Sequence, residues 1–243
     1  MEAKFQQLSR AKELAFMGKI TAGLSHEIKN TLAIINESAG LMGDLLNREP
    51  PLGWEPYPRV KSIGLSIEEQ VQRSAVLVKR LNRFAHSMDK PLTTVDVNEL
   101  VQEITALAQR FARLRGVELE VQPAPESLQI QSDPFRVQYV TFAFLERALH
   151  CSPKQAKVTV ACSRTGEMAL VTITDGGLSE AESIRKQIST ALSSRSWVNE
   201  EKNLELAILA TTMSALGGSI GAEELGETGN KIVLSFPPQF TER

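Results

Sequence analysis

The sequence predicts an α+β chain of two parts: a helical hairpin that pairs with a second copy into a four-helix bundle, followed by an α/β sandwich. Three observations carry this. Apolar residues recur at spacings of three, four and seven through residues 14–45 and again through 60–84, the repeat of an amphipathic helix. From about residue 96 onward, helical runs alternate with short runs of alternating or β-branched residues. Between these regions lie turn-rich stretches, one at 48–58 with four prolines and one at 89–96 with Pro91. The domain boundary therefore falls near residue 90, giving parts 1–90 and 91–243.

Composition limits the function classes. A chain of 243 residues makes one large or two small domains. Hydrophobic residues make up 42% and charged residues 23%, ordinary values for a soluble globular protein. The net charge of -2 marks neither a nucleic-acid surface nor an anionic membrane as partner. The two cysteines, Cys151 and Cys162, have no metal-ligand spacing and no disulfide framework, which fits a reducing cytoplasm. No apolar run approaches the roughly 18 residues a membrane span needs, and the start of the chain is polar rather than signal-like.

The elements follow in order. Residues 1–47 read as one long helix, with Ile20, Leu24, Ile28, Ile35 and Met42 in its apolar stripe and Ile34, Leu41 and Leu45 widening it. Gly40 and Gly43 weaken its end by about 1 kcal/mol each relative to alanine. Residues 48–58 form a loop that contains Trp54, and 59–88 a second helix striped by Val60, Ile63, Ile67, Val71, Leu77, Val78, Leu81 and Phe84. Two such helices on a short loop fold antiparallel, and each keeps part of its apolar face uncovered until a second copy arrives. His86 sits at the end of the second helix, where a cation suits the helix dipole.

Residues 89–96 read as a linker. Residues 98–113 are helical, with Asp96 or Thr94 as N-cap and Gly116 as terminator. Val117 to Val121 and Leu128 to Gln131 alternate as half-buried strands do. Asp133-Pro134 opens a helix to about Cys151, with proline in its first turn. Residues 157–162 and 168–174 are strands joined through Gly166, and Asp175-Gly176-Gly177 ends the second. Residues 179–192 and 203–216 are helical, and 219–223 and 231–236 are closing strands around a turn at 226–230.

The stretch His26-Glu27-Ile28-Lys29-Asn30 concentrates the chemistry. His26 falls on the side of the helix opposite the apolar stripe, and Asn30 lies one turn on, beside it. An exposed neutral imidazole is a nucleophile near physiological pH. Glu27 is placed to hold one ring nitrogen protonated and leave the other free to attack.

Gly18 to Ile34, with those five residues at its centre, resembles the H-box of two-component sensor histidine kinases. The resemblance implies that His26 accepts a phosphoryl group, that Glu27 acts as a base, and that Asn30 serves dephosphorylation of a partner regulator. The family usually has proline after the asparagine. Here Thr31 stands there, so the helix should be less kinked.

Residues 96–238 resemble the ATP-binding domain of the same kinases, shared with gyrase-type ATPases. The boxes depart from the family pattern. Its two asparagines, the second a Mg²⁺ ligand, correspond to Ala143 and Arg147, and an arginine offers only donors. Its glycine-rich phosphate loop corresponds to Asn203-Leu204-Glu205-Leu206-Ala207, which has no glycine to let backbone N–H groups approach phosphate. Asp175 and Gly177 remain. The resemblance implies that the aspartate hydrogen-bonds an adenine amino group. As local sequence the same Asp-Gly-Gly is a strand-ending turn.

The phosphoacceptor motif is thus intact and the ATP-handling motifs are mostly altered. Phosphoryl transfer needs positioned cations, so charging His26 from ATP is expected to be slow, with no metal site and ATP and Mg²⁺ as cofactors only if the altered site still binds. Exchange between His26 and a receiver aspartate needs none of that machinery. The expected function is that of a dimeric histidine phosphotransferase. It is a cytoplasmic homodimer whose partner is a response-regulator receiver domain. The alternatives are an active sensor-kinase core and a non-catalytic pseudokinase that binds a histidine kinase or regulator.

Overall fold

The computed structural model describes residues 2–47, 57–89, 92–177, 184, 201–225 and 229–239. The chain divides into two compact units, one comprising Leu14–His86 and the other Met1–Glu13 together with Ser87–Arg243.

The first unit is the expected helical hairpin, made of α1 (Glu2–Asn47) from Leu14 onward and α2 (Tyr57–His86). The helices run antiparallel. Phe16 meets Phe84 edge to face with ring centroids 5.3 Å apart, and Thr31 meets Ser74 further along. An aromatic pair of this geometry adds about 1 kcal/mol beyond its buried area. The core of the hairpin is Phe16, Ile20, Leu24, Leu45, Ile63, Leu77 and Phe84. Ile34, Leu41, Val71 and Val78, expected in the same stripes, are exposed within the single chain. The apolar stripe is wider than one neighbouring helix covers, so its flanks stay open. Trp54 and residues 48–56 lie outside the described residues. Tyr57 and Pro58 join the first turn of α2 rather than the loop, since proline costs no hydrogen bond there.

The second unit contains the expected α/β domain. A five-stranded mixed sheet has the order β2-β4-β5-β7-β6, with β2 (Glu118–Gln122), β4 (Lys157–Thr165), β5 (Met168–Asp175), β6 (Ser219–Glu224) and β7 (Asn230–Phe236). The β2–β4 pair is parallel and the others antiparallel. Helices α3 (Val97–Arg115), α4 (Pro134–Cys151) and α5 (Glu201–Ala215) supply the rest of the core, including Ile104, Phe144, Leu145 and Ile208. Along β5 every second residue, Ala169, Val171, Ile173 and Asp175, is buried, the signature of a sheet covered on one face.

One expectation is corrected. Residues 93–96 are not linker but strand β1 (Thr93–Asp96), paired antiparallel with β3 (Gln129–Ser132) in a small second sheet. The run Thr93-Thr94-Val95 is β-branched throughout and finds a partner strand. The caps follow the local signals. Asp96 accepts from the Asn98 amide at 2.8 Å at the start of α3, and Gly116, with φ of 66°, ends it in the left-handed conformation. Asp133 caps α4, accepting from the Arg136 amide at 3.0 Å. The helix expected at 179–192 lies outside the described residues, except for buried Ile184. Residues 226–228 of the final turn lie outside them too.

Candidate functional site

On α1, His26 and Asn30 are both exposed and Glu27 is half-buried. The Asn30 Nδ2 lies 3.2 Å from the His26 Nδ1, so the ring is held by the residue one turn on. With the amide nitrogen facing the ring, Nδ1 accepts and Nε2 carries the proton. With the carboxamide turned half a revolution, its oxygen accepts from Nδ1–H and the Nε2 lone pair points outward as a nucleophile. Glu27 also has an interaction partner of its own.

Thr31, at the position after Asn30, is 3% exposed. Its hydroxyl donates to the Ile28 carbonyl at 2.8 Å and lies 2.6 Å from the Ser74 hydroxyl on α2. The Ser74 hydroxyl also lies 2.9 Å from the Gln70 carbonyl; each hydroxyl has a single proton, so with Thr31 donating to Ile28, Ser74 donates to the Thr31 oxygen or to Gln70 in alternation. A polar bridge between the helices therefore sits directly beside the His26 turn, and α1 runs unbroken through it. The absence of proline was legible in the sequence. The bridge was not, because its two residues stand 43 positions apart.

The second candidate region lies at the end of β5. The buried Asp175 Oδ1 accepts from the Gly177 backbone N–H at 2.8 Å and from the Asn230 side-chain amide at 3.0 Å. Asn230 is 3% exposed and stands opposite Asp175 in the β5–β7 ladder. Sequence reading singled out Asp175 and Gly177 and missed Asn230, which has no local signature. Gly177 is explained by crowding. A Cβ there would come within 2.8 Å of the Cys151 carbonyl at the end of α4.

The space around this carboxylate is lined by Phe144, Arg147, Cys151, Asp175, Ile184 and Asn230 and amounts to about 10 Å³. That is the room of about one water molecule. Arg147 stands on this cavity where a metal-ligating residue was expected from the resemblance, and it brings a cation and no lone pair. Glu205 is exposed and lies 3.9 Å from Lys12. Among the described residues no group of three His, Cys, Asp or Glu is placed to hold a metal. Elsewhere on the sheet, burial, with a smaller contribution from the Asp96 charge, pushes the Cys162 thiol of β4 up to about 12.

No family model matches the chain. Among curated proteins, the sensor histidine kinase ZraS of Klebsiella oxytoca is 25% identical over 231 residues, covering 94% of this chain and 48% of that protein. The C4-dicarboxylate transport sensor protein DctB of Rhizobium meliloti (strain 1021) is 25% identical over 240 residues, covering 97% of this chain and 37% of that protein. The chain thus spans about half or less of the length of these relatives. Among solved structures, the catalytic domain of histidine kinase ThkA matches with a TM-score of 0.53 at 19% identity, over 63% of this chain and 99% of that one. Full-length ShkA in complex with AMPPNP matches with a TM-score of 0.52 at 19% identity, over 90% of this chain and 46% of that one. The chain is a relative of the sensor histidine kinases, and its second unit has the fold of their catalytic domains. Among the described residues no helix is long and apolar enough to cross a membrane.

Proposed function

We propose that the chain is a two-component signalling protein in which His26 carries a phosphoryl group exchanged with a receiver aspartate of a response regulator. One observation carries this reading: an exposed imidazole held at 3.2 Å by Asn30 on an unbroken helix, in the sequence context of a phosphoacceptor histidine. A protein partner reaches such a ring directly, and a neutral imidazole that donates its Nδ1–H to a neighbour attacks through the Nε2 lone pair. In the same reading residues 1–90 are the dimerisation and phosphoacceptor part and 91–243 a degenerate ATP-binding part that serves as a docking surface. The exposed Leu32, Ile34, Leu41, Val71, Val76 and Val78 support a homodimer, since apolar side chains in such number on one hairpin are covered in a stable protein.

A second reading is an active sensor-kinase core that charges His26 from ATP. The relatives favour it over the phosphotransferase, because the curated proteins that match are named as sensor kinases. The narrow cavity at Asp175, and Arg147 beside it, weigh in the other direction.

A paired labelling experiment separates the two. The protein and its His26→Ala variant are incubated with γ-labelled ATP and Mg²⁺, and separately with a labelled phosphorylated receiver domain. Acid-labile label on the wild type from the receiver alone, absent from His26→Ala, is the expected result. Label from ATP on His26 moves the conclusion to the kinase. Label in neither arm across several receivers overturns both and leaves a non-catalytic binding protein.

A further inference from the structure

Thr31 interrupts the apolar seam of the hairpin. The buried residues Ile20, Leu24, Ile63, Leu77 and Phe84 are hydrocarbon, and Thr31, 3% exposed, is as deep as they are. A valine has nearly the same outline and would fill the place without needing a partner. A buried hydroxyl is unfavourable unless it is bonded. This one is bonded on both its functions. It donates to the Ile28 carbonyl at 2.8 Å, and its oxygen, 2.6 Å from the Ser74 hydroxyl, accepts whenever Ser74 turns toward it. One turn before Ser74, the Gln70 side-chain oxygen is buried too, with no hydrogen-bond partner among the described residues. An apolar layer would avoid these demands. What the polar layer supplies instead is a fixed relation between named atoms of two helices.

The atoms it fixes belong to the His26 turn. Ile28 stands midway between His26 and Asn30. Its carbonyl also accepts the helical bond from Leu32 within unbroken α1, so the Thr31 hydroxyl is a second donor on one oxygen. Back-bonding of this kind tilts the carbonyl and bends a helix slightly. The tilt is not left to Thr31 alone, because Ser74 reaches the same hydroxyl from α2. His26 lies five residues before Thr31, roughly 140° around the helix, so the bridge acts on the ring only through the backbone. The peptide it holds, between Ile28 and Lys29, lies between the two exposed side chains that meet at 3.2 Å.

We propose that Thr31 is a positioning residue for the phosphoacceptor turn: tied to Ser74, it sets the tilt of the peptide after Ile28 and through it the direction in which His26 and Asn30 face away from α2. The proposal rests on the reading of His26 as the phosphoryl carrier. It is therefore tested both by transfer and by a property of the ring that needs no transfer.

The full chain is compared with Thr31→Val, Thr31→Ser and Ser74→Ala. Ser62→Ala serves as a control, since that hydroxyl back-bonds to the Arg59 carbonyl at 2.8 Å in the open. Circular dichroism establishes that each variant is folded. Two readouts follow: the rate of label exchange with a phosphorylated receiver domain, and the nitrogen-15 shifts of the His26 ring. The chain has three histidines, and the spectrum of His26→Ala identifies the ring. Thr31→Val should slow exchange about tenfold and move the ring shifts, because a small misplacement of a reacting group is costly in rate. Thr31→Ser, which keeps the hydroxyl, should return both to the wild-type values. Ser74→Ala should lie between, and it carries the test should Thr31→Val fail to fold. Ser62→Ala should change neither. A folded Thr31→Val with wild-type exchange and ring shifts would overturn the proposal, as would a Thr31→Ser that restores nothing or a Ser62→Ala that slows exchange as much. A wild type that takes no label from any receiver overturns the reading of His26 instead, and the ring shifts of the same variants then decide whether Thr31 positions the turn.

Discussion

Two asparagines define the two halves of this molecule. Asn30 meets His26 at 3.2 Å across four residues of one helix, in the open. Asn230 meets Asp175 at 3.0 Å across 55 residues of sequence, in the interior. The first contact holds a ring and leaves its far nitrogen to solvent and to any partner. The second uses up the acceptor it touches. The same side chain therefore holds one ring in the open and pairs with one carboxylate in the interior, and the difference lies in burial. An exposed donor competes with water and holds a partner only lightly, whereas a buried one is exchanged only against a group of the same chemistry.

The largest effect separates the halves by one kind of truncation. Asp175→Ala leaves the Asn230 amide and the Gly177 N–H without their acceptor, and should cost about 3 kcal/mol in denaturant unfolding. His26→Ala removes an exposed side chain and should stay within about 0.5 kcal/mol of the wild type. Equal losses at the two sites would break the comparison, because burial would then not be what distinguishes them.

The bridge beside His26 comes next. Thr31→Val and Ser74→Ala each remove one hydroxyl of a pair 2.6 Å apart, though each hydroxyl also bonds its own helix. A double-mutant cycle should give a coupling of about 1 kcal/mol. If the bridge also positions the phosphoacceptor turn, Thr31→Ser should keep the rate of label exchange with a receiver while Thr31→Val slows it. A coupling near zero would mean that the two helices are held by Phe16 and Phe84 and their apolar neighbours alone.

These two contacts also mark what the sequence could and could not reveal. Helix caps, strand alternation and the phosphoacceptor turn are local, so Asp96, Gly116, Asp133 and the run from His26 to Asn30 were legible residue by residue. Both the hairpin and the α/β domain followed from periodicity. The strand at Thr93–Asp96 was read as linker because its partner, Gln129–Ser132, lies more than thirty positions on. Asn230 and Ser74 are ordinary polar residues until the fold places a carboxylate or a hydroxyl opposite them. Pairings across the fold are set by register and packing, and a single sequence displays neither.

A smaller effect, absent at neutral pH, sharpens the buried half. The Cys162 thiol is pushed up to about 12 by burial, from an ordinary value of 9.0. Between those values the folded chain keeps a proton that the unfolded chain releases. Stability should therefore fall as pH rises through that window, and Cys162→Ala should remove this part of the alkaline loss. Cys162, 6% exposed, should resist alkylation in the folded protein while half-buried Cys151 reacts first. A Cys162 alkylated as fast as Cys151 would mean that the sheet opens more readily than its burial implies.

The smallest effect belongs to Asn30, and it bears most directly on the chemistry. Asn30→Ala should leave stability within about 0.5 kcal/mol, since the side chain is exposed. What it should change is the proton's address on the His26 ring. An amide at Nδ1 biases the neutral imidazole toward one tautomer, and its removal returns the ring to its intrinsic preference. Nitrogen-15 shifts of the two ring nitrogens read that balance directly. A tautomer ratio that moves, with exchange from a receiver altered in step, would make Asn30 the residue that decides which nitrogen attacks. A ratio that stays fixed would assign that task to Glu27, the other polar neighbour the motif supplies. The open half would then depend on a carboxylate as the closed half does, but one kept in contact with solvent.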